Sequence, residues 1–268
     1  MTRIDLQGVA RTLLVPLACR AMESSRADAI LRDPRAVEVF NALGGNKDFL
    51  MGMSGHDLFA TVMRVRQFDT YVRDFLARNL GGMVVDIGCG LDTRFERLDD
   101  GRLEWIGVDL PEVIHLRHGL LPDTPRSRTI ARSMLDLSWI EEVSGYGKPV
   151  IFLAEGVFPY FSASEVKPLL VELRRCFSGS ELVFDALSPL MAWIHNHSSS
   201  VLKRSGTAVK WDVRQPEELE SWGLTLLERW GYFDRPEPRL GATSLIRYIP
   251  PLARSTYILH YRLGEITS

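Results

Sequence analysis

One segment restricts this chain more than any other: Val84-Val85-Asp86-Ile87-Gly88-Cys89-Gly90-Leu91-Asp92-Thr93-Arg94. A short apolar run stops at two glycines, and a helix-compatible stretch follows. Glycine takes backbone angles that a side chain forbids and lets backbone amides approach a ligand. Asp109 lies nineteen residues past Gly90, at the end of the next apolar run, Glu104-Trp105-Ile106-Gly107-Val108-Asp109. An acid in that place can accept both ribose hydroxyls of an adenosine. A glycine pair alone fits a plain tight turn equally well. Strand, turn, helix and acid together favour an adenosine cofactor.

The remaining patterning sets the fold class. Before residue 83 there is no strand pattern. Leu58, Val62, Val65, Phe68, Val72 and Phe75 recur every three or four residues and make the apolar face of a long helix, which Gly81-Gly82 ends. A shorter helix covers Leu13–Met22, and Gly44-Gly45-Asn46 and Gly52-Met53-Ser54-Gly55 mark loosely held backbone. Strands are expected at Met83–Ile87, Glu104–Asp109, Ser127–Ser133, Pro149–Ala154, Glu181–Ala186, Leu224–Arg229 and Ser255–Arg262. Helices are expected at Pro111–Gly119 and after Ser162-Ala163-Ser164-Glu165, where serine and glutamate form a capping box. Strands alternating with helices predict an α/β, doubly wound, mostly parallel sheet. The last strands lack a clear crossover helix, so the C-terminal edge is expected to be antiparallel. The division is then a helical cap over 1–80 and a cofactor domain over 81–268. Residues 187–223, with the serine run 198–200, form a substrate-side insertion.

Composition removes several classes. With 46% hydrophobic and 25% charged residues, the chain is not a disordered one. Its 32 Lys+Arg against 34 Asp+Glu leave no basic excess for nucleic acid. Cys19, Cys89 and Cys176 are odd in number and far apart, which suits neither a zinc site nor a disulfide framework and favours a reducing, cytoplasmic setting. The run Leu13-Leu14-Val15-Pro16-Leu17-Ala18-Cys19 is short, is broken by Pro16 and follows Asp5 and Arg11, which argues against a signal sequence. No apolar run is long enough for a membrane span. The expected partner is a small molecule, with no nucleic acid or membrane, bound by a monomer or homodimer.

The turn also bears on which adenosine cofactor it would hold. A diphosphate-binding turn carries a third glycine, where this chain has Thr93. Asp86 and Asp92 would repel a diphosphate. They suit a cationic sulfonium and a zwitterionic amino acid, as in S-adenosylmethionine. A short-chain reductase would need Tyr-x-x-x-Lys, and Tyr160 is followed four places on by Ser164.

Gly88-Cys89-Gly90-Leu91-Asp92-Thr93-Arg94, with Gly107-Val108-Asp109-Leu110-Pro111, Asp136-Leu137 and Glu155-Gly156-Val157-Phe158-Pro159-Tyr160-Phe161, resembles the leucine carboxyl methyltransferase family. Thr12-Leu13-Leu14-Val15-Pro16-Leu17, Arg20, Glu23, Arg26 and Asp33-Pro34 resemble its bacterial branch, which includes polyketide O-methyltransferases. The resemblance spans about residues 10–190. It implies a class I, Rossmann-like methyltransferase with a helical cap. By the same resemblance Arg66 would hold the cofactor carboxylate and Gly88 and Gly90 its turn. Asp109, with Leu110 after it, would take the ribose, and Asp136 and Leu137 would lie beside the adenine. Glu155 and Tyr160 would lie over the methionyl end and the substrate.

Plainer readings stand beside these. Arg66 could pair with Asp69 on a solvated helix face. Asp86 could accept backbone amides in the turn, since a buried carboxylate alone is costly. Glu155 interrupts an apolar run and needs a partner, either the sulfonium or a structural hydrogen bond. Tyr160 could be a core tyrosine. His195 and His197 could take a proton from a hydroxyl acceptor, as histidine titrates near neutrality, or simply be solvated. A carboxylate acceptor is already ionised and needs no base. The expected activity is therefore O-methylation of a small carboxylate or acidic hydroxyl. The alternatives are methylation of a protein C-terminus, a nicotinamide-dependent reductase and a non-catalytic cofactor binder.

Overall fold

A computed structural model describes residues 13–45, 55–198, 208–235 and 237–264. Thr12, Gly52-Met53-Ser54 and the serines at 199 and 200 lie outside the described residues.

The seven strands are β1 Met83–Ile87, β2 Glu104–Asp109, β3 Ser127–Ala131, β4 Val150–Ala154, β5 Glu181–Leu187, β6 Leu224–Gly231 and β7 Thr256–Leu263. They form one sheet in the order β3-β2-β1-β4-β5-β7-β6. Neighbours from β3 to β5 are parallel, and β7 is antiparallel to both β5 and β6. The antiparallel strand thus lies one place in from the edge, and β6 is the edge strand. Sequence order cannot show this, because β6 reaches its place before β7 fills the gap beside β5.

The helices are α1 Leu14–Ser24, α2 Pro34–Ala42, α3 Gly55–Arg78, α4 Arg94–Leu98, α5 Pro111–His118, α6 Ser138–Ser144, α7 Ala163–Cys176, α8 Pro189–Ser198 and α9 Pro250–Ala253. Asp33 caps α2, its side chain accepting from the Ala36 N–H at 2.9 Å, and Pro34 occupies the first turn, where no N–H is needed. The capping box before α7 is present: Ser162 and Glu165 each accept the other's backbone N–H, at 3.3 and 2.7 Å.

The central strands β1, β4 and β5 are buried on both faces. Met83, Val85, Ile87, Phe152 and Phe184 pack with Trp139 of α6 and Leu169 and Leu173 of α7. Val84, Ile151, Leu153 and Val183 pack against Phe68, Val72 and Phe75 of α3. Burying each such aromatic contributes about 1.5–3 kcal/mol. The apolar face of α3 is shared: Val62 and Val65 meet Cys19 and Leu31 beside α1. This helix therefore covers the sheet and also carries α1, on which α2 packs.

Candidate active site

Five chain segments converge on the carboxyl edge of the sheet. The strand order reverses between β1 and β4, which opens a crevice there. Gly88 and Gly90, with φ of 73° and 45°, turn the chain off β1. A Cβ on Gly88 would stand 2.4 Å from Val157 Cγ2, so packing as well as φ demands glycine. Behind the turn, the Arg117 guanidinium donates to the Gly90 and Asp92 carbonyls at 3.0 and 2.7 Å. Asp109 accepts from the Gly90 N–H and from its neighbour Leu110, both at 2.8 Å. Burial pushes the Asp109 carboxyl up, and these two amides oppose that. Each oxygen keeps a lone pair that a ribose hydroxyl could use.

A chain of charged side chains runs beneath the crevice. The Arg20 Nε donates to Asp33 at 3.0 Å, and Arg97 joins Asp33 to Asp69. Asp69 accepts from Arg94 Nε at 2.6 Å, and Arg94 Nη2 donates to Glu155 at 2.6 Å. Glu155 also accepts from Arg64 Nε, and Arg64 Nη1 donates to Asp185, both at 3.0 Å. Asp92 pairs with Arg94 and accepts its backbone N–H at 2.9 Å. Burial works against ionisation of Asp92, yet Arg94 and the neighbouring arginines Arg20, Arg97 and Arg117 hold its carboxyl down at about 2. Asp92 is therefore compensated by arginines, which weakens the repulsion of a diphosphate expected from this acid.

Several expected positions have partners within the chain. The Arg66 side chain is 38% exposed and donates to Glu237 at 3.2 Å. Two residues earlier on α3, Arg64 is the arginine at the sheet edge. A step of two places residues on different sides of a helix, so the motif alone does not distinguish the pair. Glu155 is paired with two arginines and does not depend on a cofactor cation for compensation. Asp86 is 2% exposed, and its Oδ2 has no hydrogen-bond partner among the described residues, so it does not cap the turn through that atom. Burial and then the nearby Asp92 carboxylate push Asp86 well above the usual carboxylate range.

The other expected residues fall as follows. Asp136 is exposed beyond β3, where it accepts from the Ser138 hydroxyl at 2.7 Å and from Arg132 at 3.2 Å. Leu137 is half-buried, and Leu110 is partly exposed at the end of β2. Tyr160 is half-buried in a tight turn after β4 and packs with Leu187, Ala192 and Val209. Burial raises its hydroxyl pKa. His195 is half-buried on α8, and burial depresses its pKa. Asp57 opposes that shift, and Arg64 adds to it. Two places on, His197 instead stacks on the exposed Trp193 ring at 4.6 Å.

Arg64, Asp185, Tyr232 and Arg117 were not singled out by their sequence pattern. Asp185 interrupts the apolar run of β5 as Glu155 follows that of β4, which is a usable signal. Tyr232 follows β6, and its charge environment comes from Arg64, Asp185 and Glu155. Nothing in its local sequence indicates that.

The residues fit an adenosine cofactor bearing an amino acid. Asp86 Oδ2 is an orphaned buried acceptor at the turn. Among the described residues, no acceptor is recorded for Arg64 Nη2, whereas Nε and Nη1 are bound. An acid on β2 and an arginine on α3 thus stand at the two ends of the crevice.

This strand order, with its antiparallel seventh strand, defines the class I methyltransferase fold. Solved structures agree: a protein from Thermobifida fusca has a TM-score of 0.55 and 16% identity, over 98% of this chain and 97% of that one. A DUF574 family protein from Streptomyces avermitilis has a TM-score of 0.56 and 18% identity, over 92% and 96%. The family model of leucine carboxyl methyltransferase matches residues 14–174, more than half of the chain, and the chain belongs to that family. It is 31% identical to the tetracenomycin polyketide synthesis O-methyltransferase TcmP of Streptomyces glaucescens, over 96% of this chain and 98% of that protein. It is 29% identical to the S-adenosyl-L-methionine-dependent methyltransferase dpfgK of Gibberella zeae, over 85% and 83%.

Proposed function

We propose that this S-adenosylmethionine-dependent methyltransferase methylates an oxygen, the carboxylate or acidic hydroxyl of a small molecule such as a polyketide. The observation that carries the reading is the wall beside Arg64. Tyr160, Leu187, Met191, Ala192 and Val209 make it apolar, and His195 is the neighbour whose ordinary pKa lies near neutrality. Burial favours the neutral imidazole, which can take a proton from a hydroxyl acceptor. A carboxylate acceptor needs no such step. The name of the Streptomyces glaucescens relative supports oxygen as the acceptor and a polyketide as its source.

When bound, S-adenosylmethionine would supply an electrophilic methyl carbon on a sulfonium. Asp109 would hold the ribose, and Leu110, Asp136 and Leu137 are the residues that would take the adenine. Arg64 holds the carboxylate at the other end, in the role that the motif suggests for Arg66. Asp86 lies below the turn as an acceptor for the amino acid, and Glu155 steadies Arg64 and Arg94. Charge is neutralised as an anionic oxygen meets a sulfonium, so the protein's contribution is positioning and exclusion of water. Residues 208–213 help to keep water out. Lys210 N–H donates to the Pro159 carbonyl at 2.8 Å and Val213 N–H to that of Leu187 at 3.0 Å, which draws this strip across the ends of β4 and β5. On the other side α1, α2 and α3 act as the cap, with Leu13 close against the Gly90 turn.

The test is a screen of small aromatic carboxylic acids, phenols and C-terminal peptides with methyl-labelled cofactor. The expected product is a small molecule heavier by one CH₂, and release of labelled methanol in mild alkali marks an ester. Labelling of peptide C-termini alone would overturn the small-molecule reading.

A further inference from the structure

Asp185 is 4% exposed, and both of its oxygens are committed. Oδ1 accepts from the Gly156 N–H at 2.5 Å, and Oδ2 accepts from Arg64 Nη1 at 3.0 Å. Gly156 has φ of 70° and follows Glu155, whose carboxylate accepts from Arg64 Nε at 3.0 Å. A Cβ on Gly156 would stand 3.5 Å from Arg64 Nη2. One carboxylate on β5 therefore fixes both the turn carrying Glu155 and the guanidinium that Glu155 holds. A planar guanidinium gripped at Nε and at Nη1 has no rotational freedom left, and its Nη2 edge is aimed. A buried carboxylate is costly unless paired, so its place here is accounted for by what it holds.

We propose that Asp185 is a positioning residue: by clamping Arg64 Nη1 and the Gly156 amide, it aims the Nη2 edge of Arg64 at the carboxylate of the cofactor. The inference rests on the reading that Arg64 binds that carboxylate. Asp185 itself touches neither the cofactor nor the acceptor. Burial raises its carboxyl pKa, and Arg64 and the Gly156 amide oppose the rise.

Asparagine tests this well, being nearly isosteric. Its single carbonyl oxygen can accept from Gly156 or from Arg64, and its amide then presents a donor to the other. The probes are S-adenosylmethionine and its decarboxylated analogue, titrated by calorimetry into the full chain. The wild type is expected to prefer the first by roughly tenfold or more, the range of a charge-assisted hydrogen bond. In Asp185→Asn that preference shrinks several-fold, while affinity for the analogue changes little. A merely structural role would weaken both ligands alike and leave the preference intact, which would overturn the proposal. A wild type with no preference would instead overturn the Arg64 reading beneath it. Should the asparagine variant fail to fold, Asp185→Glu keeps the charge but displaces it. A reduced preference there supports the clamp, and a full one contradicts it.

Discussion

Arg64→Ala should raise the Kd for S-adenosylmethionine at least tenfold, whereas Arg66→Ala should leave it within about twofold. Hydrogen bonds to charged groups contribute about 1.5–3 kcal/mol, and each 1.4 kcal/mol is a factor of ten. Arg64 lies at the crevice, with an 18% exposed side chain gripped by Glu155 and Asp185. The Arg66 side chain is 38% exposed, and its bond to Glu237 joins α3 to the segment before α9. Removing Arg64 also leaves Asp185 without its cation and Glu155 with Arg94 alone, so the melting temperature should fall. Arg64→Lys restores the charge but not the two-point grip, and should recover stability better than affinity. Calorimetric titration with circular dichroism as a folding check reads both effects. Loss of affinity in Arg66→Ala with none in Arg64→Ala would restore the assignment that the motif suggests.

Arg94→Leu should give the largest loss of stability of any substitution considered. Its side chain is 1% exposed and ties Asp69, Asp92 and Glu155 together, with the Phe68 ring 5.6 Å from its guanidinium carbon. Leucine would leave three carboxylates short of a partner. Breaking a buried pair by removing one member costs about 3–5 kcal/mol. For a chain of this size, that corresponds to a fall of roughly 10 °C in melting temperature. Arg94→Lys keeps the charge but cannot reach all three acids, and should fall part of the way. Scanning calorimetry decides the matter, and a change under about 2 °C in Arg94→Leu would show that these ion pairs are not what holds α3 to the glycine turn.

Much of this architecture is legible in the sequence because it follows from local rules. The apolar runs of β1, β2 and β4, the capping box at Ser162 and the glycine turn each depend on neighbouring residues alone. The helix α2 escapes notice, although Asp33-Pro34 is a strong start signal, because the glycines after it suggest loose backbone. The short α6 lacks a capping side chain and so gives little signal. The place of β7 between β5 and β6 is non-local and has no sequence signature. The site divides in the same way. Gly88, Gly90 and Asp109 are readable from spacing. The choice between Arg64 and Arg66 depends on which side of α3 meets the sheet, and both sides of that helix are apolar. The partners of Glu155 come from 91 and 61 residues away, a pairing that no local pattern encodes.

The central claim is that the carboxyl edge of this sheet is a site for S-adenosylmethionine. Calorimetric titration of the wild-type chain with S-adenosylmethionine and, separately, with NADH tests it most directly. The account predicts saturable one-to-one binding of S-adenosylmethionine and no heat from NADH. Binding of NADH with none of S-adenosylmethionine would contradict it.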